Sequence, residues 1–262
     1  MRLSCFVIAF GVACPAFAQD LAPKASPTPM SKQSGGLTVT GASGPPSTAL
    51  DAPTSTGTGL GVKDKLRVDD GAYAACLMAL DNLGVQYVEA EPVLTEADVD
   101  CGILRPLTVT NIGSGVAISP PATLRCETTE ALALWVTDFV IPASKRLSDR
   151  GALNVIENGS GYICRRRNNL PDGKLSEHAF GNAFDVMAFQ FEDGSRIAIK
   201  PREADGTMEE AFQDAVRASA CLNFSTVLGP GSNSTHADHL HLDIIERSSG
   251  YRICEQGLAK PD

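Results

Sequence analysis

All four histidines of the chain lie in two short segments, SEHAFGNAFD at 176–185 and HADHLHLD at 236–243. A lone histidine is usually a hydrogen-bonded structural residue, but four gathered in two aspartate-bearing stretches read as a metal centre. In the second segment strand alternation puts His239, His241 and Asp243 on one face, and Leu240, Leu242 and Ile244 on the other, where they can enter a core. In the first, Asp185 occupies a strand whose neighbours Phe184 and Val186 face away from it, with His178 in the glycine-containing turn before. A carboxylate on so apolar a strand needs a charge partner, because burying it alone is costly. A dication supplies that partner.

Two neutral imidazoles and one carboxylate around a dication leave about one net positive charge and an open fourth position, the form of a hydrolytic zinc site. Such an ion lowers the pKa of bound water toward about 7 and polarises a scissile carbonyl. Magnesium and calcium prefer all-oxygen sites, and a structural zinc normally takes a fourth protein ligand. The chain contains no HExxH, SxxK or GxSxG, which sets aside the helix-borne zinc peptidases and the main serine acyl-enzyme motifs. Arg165, Arg166 and Arg167 beside Asn168 form a basic cluster in an otherwise acidic chain, suited to clamping a substrate carboxylate bidentately. A solvated loop is the competing reading of that run.

The elements that must position these residues follow from periodicity. Apolar spacing predicts a helix over 72–82, ended by Gly84, and a longer one over 128–147 with Leu132, Leu134, Trp135, Phe139 and Val140 as its buried stripe. A third begins at Thr207, where Glu210 completes a capping box, and runs to about Cys221. Strands are expected at 85–88, 107–110, 153–156, 183–189, 196–199 and 239–244. Helices and strands intersperse without a βαβ rhythm, so the expected class is α+β.

The ends of the chain carry other information. Residues 1–18 have one basic residue, Arg2, a short apolar run and an Ala16-Phe17-Ala18 ending, which reads as a secretory signal peptide; a lipoprotein reading through Cys14 meets Gly11 where a large aliphatic residue is needed. Residues 19–68 are rich in Pro, Ser, Thr and Gly and too poor in large apolar side chains to build a core, so they read as a flexible linker with a reach of roughly 40 Å. Residues 69–262 then form the folded domain. Six of the eight cysteines, Cys76, Cys101, Cys126, Cys164, Cys221 and Cys254, fall in that domain without a CxxC pair, which suits a disulfide framework and an oxidising compartment, periplasmic or secreted. The net charge of −9 disfavours nucleic acid and anionic lipid as partners, and no segment reads as a membrane span in the mature chain.

The SEHAFGNAFD stretch resembles the SxHxxGxAxD signature of the D-Ala-D-Ala metallopeptidase and hedgehog-like fold, and HADHLHLD resembles its closing HxH element. More closely, the chain from Cys76 through HADHLHLD resembles the extensin-like C-terminal domain of bacterial exported proteins, with CGILRP at 101–106, ISPPATLRC at 118–126, GYICRRRN at 161–168 and FSTVLGPGSN at 224–233. The resemblance implies an antiparallel sheet with flanking helices, stapled by disulfides, and one zinc ion held by His178, Asp185 and His241. It implies substrate contacts at Ser176, Arg165 and Arg167, ahead of Arg166. For the general base it leaves two candidates, Asp238 and His239, of which strand alternation favours His239; His236 is expected at the rim. The activity implied is hydrolysis of peptide bonds in peptidoglycan. The alternatives are a non-catalytic, zinc-containing module that binds or scaffolds the cell wall, and a secreted peptidase acting on protein.

Overall fold

In the computed structural model residues 69–94 and 100–254 are described; the expected signal peptide and linker lie outside the described residues. Asp69 opens the first helix, α1 (Asp70–Asn82), by accepting a hydrogen bond from the Ala72 amide at 2.9 Å, the usual service of an N-cap aspartate. Gly84, with φ 71°, then turns the chain into β1 (Gln86–Glu89). Next come β2 (Val93–Leu94), β3 (Gly102–Ile103), β4 (Leu107–Asn111) and β5 (Ala117–Leu124). The long helix expected over 128–147 starts earlier and changes winding: α2 (Cys126–Trp135) passes through a π-helical turn, Val136–Val140, into α3 (Ile141–Ser144). Pro142 has no amide hydrogen for the carbonyl four residues back, which accounts for the local unwinding.

The remaining strands are β6 (Leu153–Ser160), β7 (Ala183–Phe191), β8 (Arg196–Ala198), β9 (Thr226–Leu228), β10 (Leu240–Asp243) and β11 (Ile253–Cys254), with α4 (Met208–Asn223) between β8 and β9. Thr207 caps α4 by accepting from the Glu210 amide at 3.2 Å. The Glu210 carboxylate reaches past Thr207 to the Ala204 and Gly206 amides, at 2.8 and 3.1 Å. The main sheet runs β1-β4-β5-β6-β7-β10-β9-β11, with β8 also on β7. Its pairs are antiparallel apart from β5 with β6 and β9 with β11, so the fold is α+β, with a mostly antiparallel sheet.

Sequence periodicity missed β5 because ISPPATL carries two prolines, which cannot donate to a ladder. In the sheet, residues 117–119 pair with β6, and β4 takes Ala117 and then residues 122–124. Pro120 and Pro121 therefore sit where no ladder amide is required. The core is aromatic at its centre: Trp135, Phe184, Phe189, Phe191 and Phe224 are all buried. Trp135 satisfies its indole N–H on the Val216 carbonyl of α4 at 3.0 Å, which lets so large a polar-tipped ring be covered.

All six domain cysteines are paired, as Cys76–Cys126, Cys101–Cys164 and Cys221–Cys254, closing separations of 50, 63 and 33 residues. Loops of that size restrict the unfolded chain by on the order of 4 kcal/mol each, and such a framework fits an oxidising compartment. Among the described residues no helix is long and apolar enough to cross a membrane.

Candidate metal centre

β7 and β10 are antiparallel neighbours in a register that places His241 opposite Asp185 and Leu242 opposite Phe184. Directly opposed residues share a face, so one alternation serves two purposes. Phe184, Val186, Leu240 and Leu242 fill the core, and Asp185 and His241 meet on the other side of the sheet.

His178 reaches them from a 3-10 turn, Glu177–Phe180, just before β7. Gly181 ends that turn with φ 68°, and a Cβ there would lie 2.4 Å from Ile103 Cδ1. Only glycine meets both demands. The Gly181 carbonyl is held by the Thr128 hydroxyl at 2.8 Å and the Arg125 amide at 3.1 Å, which fixes the turn to the start of α2.

Three ligand atoms converge. His178 Nε2 lies 3.1 Å from His241 Nδ1 and 3.2 Å from Asp185 Oδ1, and His241 Nδ1 lies 3.0 Å from Asp185 Oδ1. Ligands of a tetrahedral zinc with bonds of 2.0–2.1 Å stand roughly 3.3 Å apart, so the triangle has the size of such a ligand set. All three residues are buried.

The outer nitrogens explain which atoms face inward. His178 Nδ1 donates to the Gly161 carbonyl at 2.7 Å, and His241 Nε2 donates to Asp243 Oδ2 at 3.0 Å. Each ring then turns a lone pair toward the carboxylate, leaving three acceptors face to face. Such a cluster requires a proton or a metal ion. Without a metal, burial opposes charge on His241, but its bonds to Asp185 and Asp243 prevail and raise its pKa to about 9. Burial likewise opposes ionisation of Asp185, and the adjoining imidazoles of His178 and His241 more than reverse it, holding the carboxyl well below the usual range.

His239 stands just before β10 with Nε2 3.8 Å from Asp185 Oδ1, beside the triangle. Its Nδ1 is 2.9 Å from the exposed carboxylate of Asp238. The two general-base candidates are thus one hydrogen-bonded pair, in which Asp238 orients the ring and the Nε2 lone pair faces the site. The rings of His236 and His239 are 5.2 Å apart, and His236 bonds Asn233 Oδ1 at 2.7 Å. Burial, followed by the neighbouring imidazoles of His241 and His239, pushes the His236 pKa down to about 4.

A cleft of about 230 Å³ at the rim is lined by Arg165, Arg167, Ser176, His236, His241 and Arg247, among others. Arg165 and Arg167 belong to a hairpin in which the Ser176 amide bonds the Arg165 carbonyl and the Arg167 amide bonds the Lys174 carbonyl, both at 3.0 Å. Arg166 is spent within the same hairpin, on the Gly173 carbonyl. Ser176 is buried, and its hydroxyl has no hydrogen-bond partner among the described residues.

Several contributors were not singled out by sequence. Glu177 is buried between Arg167 (3.3 Å) and Asn182 (3.0 Å), and Arg125 bonds the other side of Asn182 at 3.1 Å. Nothing in the local sequence signals that chain. Asp243 did carry a signal, its position two residues after His241 on the same face.

A family model described as Extensin-like protein C-terminus matches residues 74–255, which spans the sheet, all three disulfides and the ligand triangle. No curated protein and no solved structure matches the chain.

Proposed function

The chain belongs to the extensin-like protein C-terminus family, and from that premise we propose that it is an exported zinc-dependent peptidase of the D-Ala-D-Ala metallopeptidase and hedgehog-like kind, hydrolysing peptide bonds in peptidoglycan. The observation that supports this is the triangle of three inward-facing acceptors, His178 Nε2, Asp185 Oδ1 and His241 Nδ1, with an oriented imidazole beside it. A divalent ion held there supplies Lewis acidity to a carbonyl and to water. His239 Nε2 takes the proton of the attacking water and delivers it to the leaving amine. Asp238 keeps the His239 ring in the tautomer that accepts at Nε2, and stabilises the imidazolium formed in between. Arg165 holds the substrate carboxylate, Arg167 stands beside it paired with Glu177, and Ser176 offers an unspent hydroxyl on the same wall.

The test begins with metal content. Untagged protein never exposed to chelator is expected to carry one equivalent of zinc, and His241→Ala none. Zinc-loaded protein incubated with cross-linked muropeptides is then expected to release stem-peptide products, seen by mass spectrometry, and His239→Ala to release none. Metal-free protein as purified overturns the zinc assignment. Loaded protein that binds sacculi and cleaves nothing favours the non-catalytic wall-binding module, and cleavage of casein-like substrates favours a protein peptidase.

A further inference from the structure

We propose that the cleft beside the ligand triangle binds two carboxylates of its substrate, one at Arg165 and the other at Arg247. The inference rests on the peptidase reading and adds a substrate requirement to it. The supporting observation is the charge left over in the cleft wall. Arg167 is paired with Glu177. Asp185 and Asp243 both face the imidazoles and belong to the ligand cluster. Two guanidiniums remain, in a protein whose net charge is −9.

Arg247 is fixed but not neutralised. Its Nη1 donates to the Ser225 carbonyl at 2.9 Å and its Nη2 to the Thr226 hydroxyl at 2.7 Å, with a longer contact to the Tyr251 carbonyl. Every one of these partners is uncharged, and Nε and one Nη2 hydrogen are left for a ligand. The Arg165 guanidinium has no hydrogen-bond or ion-pair partner among the described residues. The two come from separate elements: Arg165 from the hairpin beside the His178 turn, Arg247 from the segment after β10 that is bonded to the start of β9. Both line the cleft, and each keeps enough free donors for a carboxylate of its own. A planar guanidinium with spare donors takes a carboxylate in two parallel hydrogen bonds. The ligand class is therefore a peptide with a free C-terminal carboxylate and a second carboxylate on a residue near the scissile amide.

Zinc-loaded protein titrated calorimetrically with a D-Ala-terminated peptide bearing that second carboxylate, and with the same peptide carrying a carboxamide there, tests the idea. The free acid is expected to bind about 10- to 100-fold more tightly, and Arg247→Gln to bind the two forms alike. Amidating the C-terminus instead is expected to lose its effect in Arg165→Gln. The comparison of peptides uses the unaltered protein, so it decides the matter even if Arg247→Gln fails to fold. Equal affinity of that protein for acid and amide, with both cleaved, overturns the second carboxylate site and leaves the peptidase reading standing. Failure to bind or cleave either peptide overturns both.

Discussion

His241 Nε2 lies 3.0 Å from Asp243 Oδ2, a bond between two side chains on the same face of β10. It consumes the only N–H of the neutral ring and so decides that Nδ1 is the atom turned toward Asp185. Asp243 also accepts from the Ile245 amide at 3.1 Å through its other oxygen, so the carboxylate is held at both ends. Asp243→Ala is expected to weaken zinc binding by about 10- to 100-fold, measured by competition with a chromophoric chelator. Asp243→Asn keeps an acceptor for Nε2–H and is expected to lose less. Equal affinities for all three proteins would refute the orienting role.

That bond also marks how far the sequence reaches. The alternation in HADHLHLD places His241 and Asp243 on one face of a strand, and the apolar neighbours of Asp185 place it on another; β7 and β10 carry these residues so, although both strands are buried almost throughout and His239 stands just before β10. What alternation does not contain is register. That Asp185 faces His241 depends on pairing between strands 56 residues apart along the chain, and no local pattern carries it. Arg247 and Asn182 escape for the same reason, since they are held by Ser225, Thr226 and Arg125, distant in sequence; Glu177 escapes because its pairing with Arg167 and Asn182 follows from the path of the turn and not from a periodic pattern. The strand at 117–124 escapes because its two prolines argue against a strand everywhere except in an unpaired stretch of a ladder.

His239 is placed to act as base, yet its Nε2 is near enough to the triangle to raise the question of a fourth ligand. The two roles differ in what removal does. As the base, His239→Ala is expected to keep its zinc within about threefold and to lose turnover by roughly 10²–10⁴-fold. Asp238→Asn, which spares the ring but removes the charge behind it, is expected to fall by a smaller factor. A drop in zinc content in His239→Ala comparable to that in His241→Ala would make His239 a ligand and the site a closed, structural one.

Metal-free protein should show a stability window set by His241. Its folded pKa is raised to about 9 from 6.5, so the folded state holds this proton more tightly than the unfolded chain. The contribution is fully present below about pH 6.5 and is lost as pH rises through about 9. A shift of that size corresponds to on the order of 3 kcal/mol. Thermal unfolding of chelator-treated protein, taken as a difference from His241→Gln, should therefore fall by several degrees between pH 6.5 and 9. With zinc bound the ion replaces the proton, and the fall should vanish. Zinc affinity itself should rise with pH over the same window, because the metal displaces that proton. A flat profile in the metal-free protein would show that no proton is shared by the three acceptors.

Gly181 links the fold to the site, and its replacement should affect both. The residue has φ 68°, accepts the Thr128 hydroxyl and Arg125 amide at its carbonyl, and leaves no room for a Cβ against Ile103. In Gly181→Ala the left-handed conformation costs on the order of 1 kcal/mol, and the contact with Ile103 adds to it, giving a destabilisation of about 2–3 kcal/mol. Because Gly181 ends the turn that carries His178, relief of the strain moves His178 Nε2 out of the triangle. Zinc affinity should then fall more than stability alone explains. Pairing the change with Ile103→Val removes the clashing methyl and is expected to restore part of both quantities. If Gly181→Ala lowers the melting temperature but leaves zinc affinity unchanged, the turn does not set the position of the ligand.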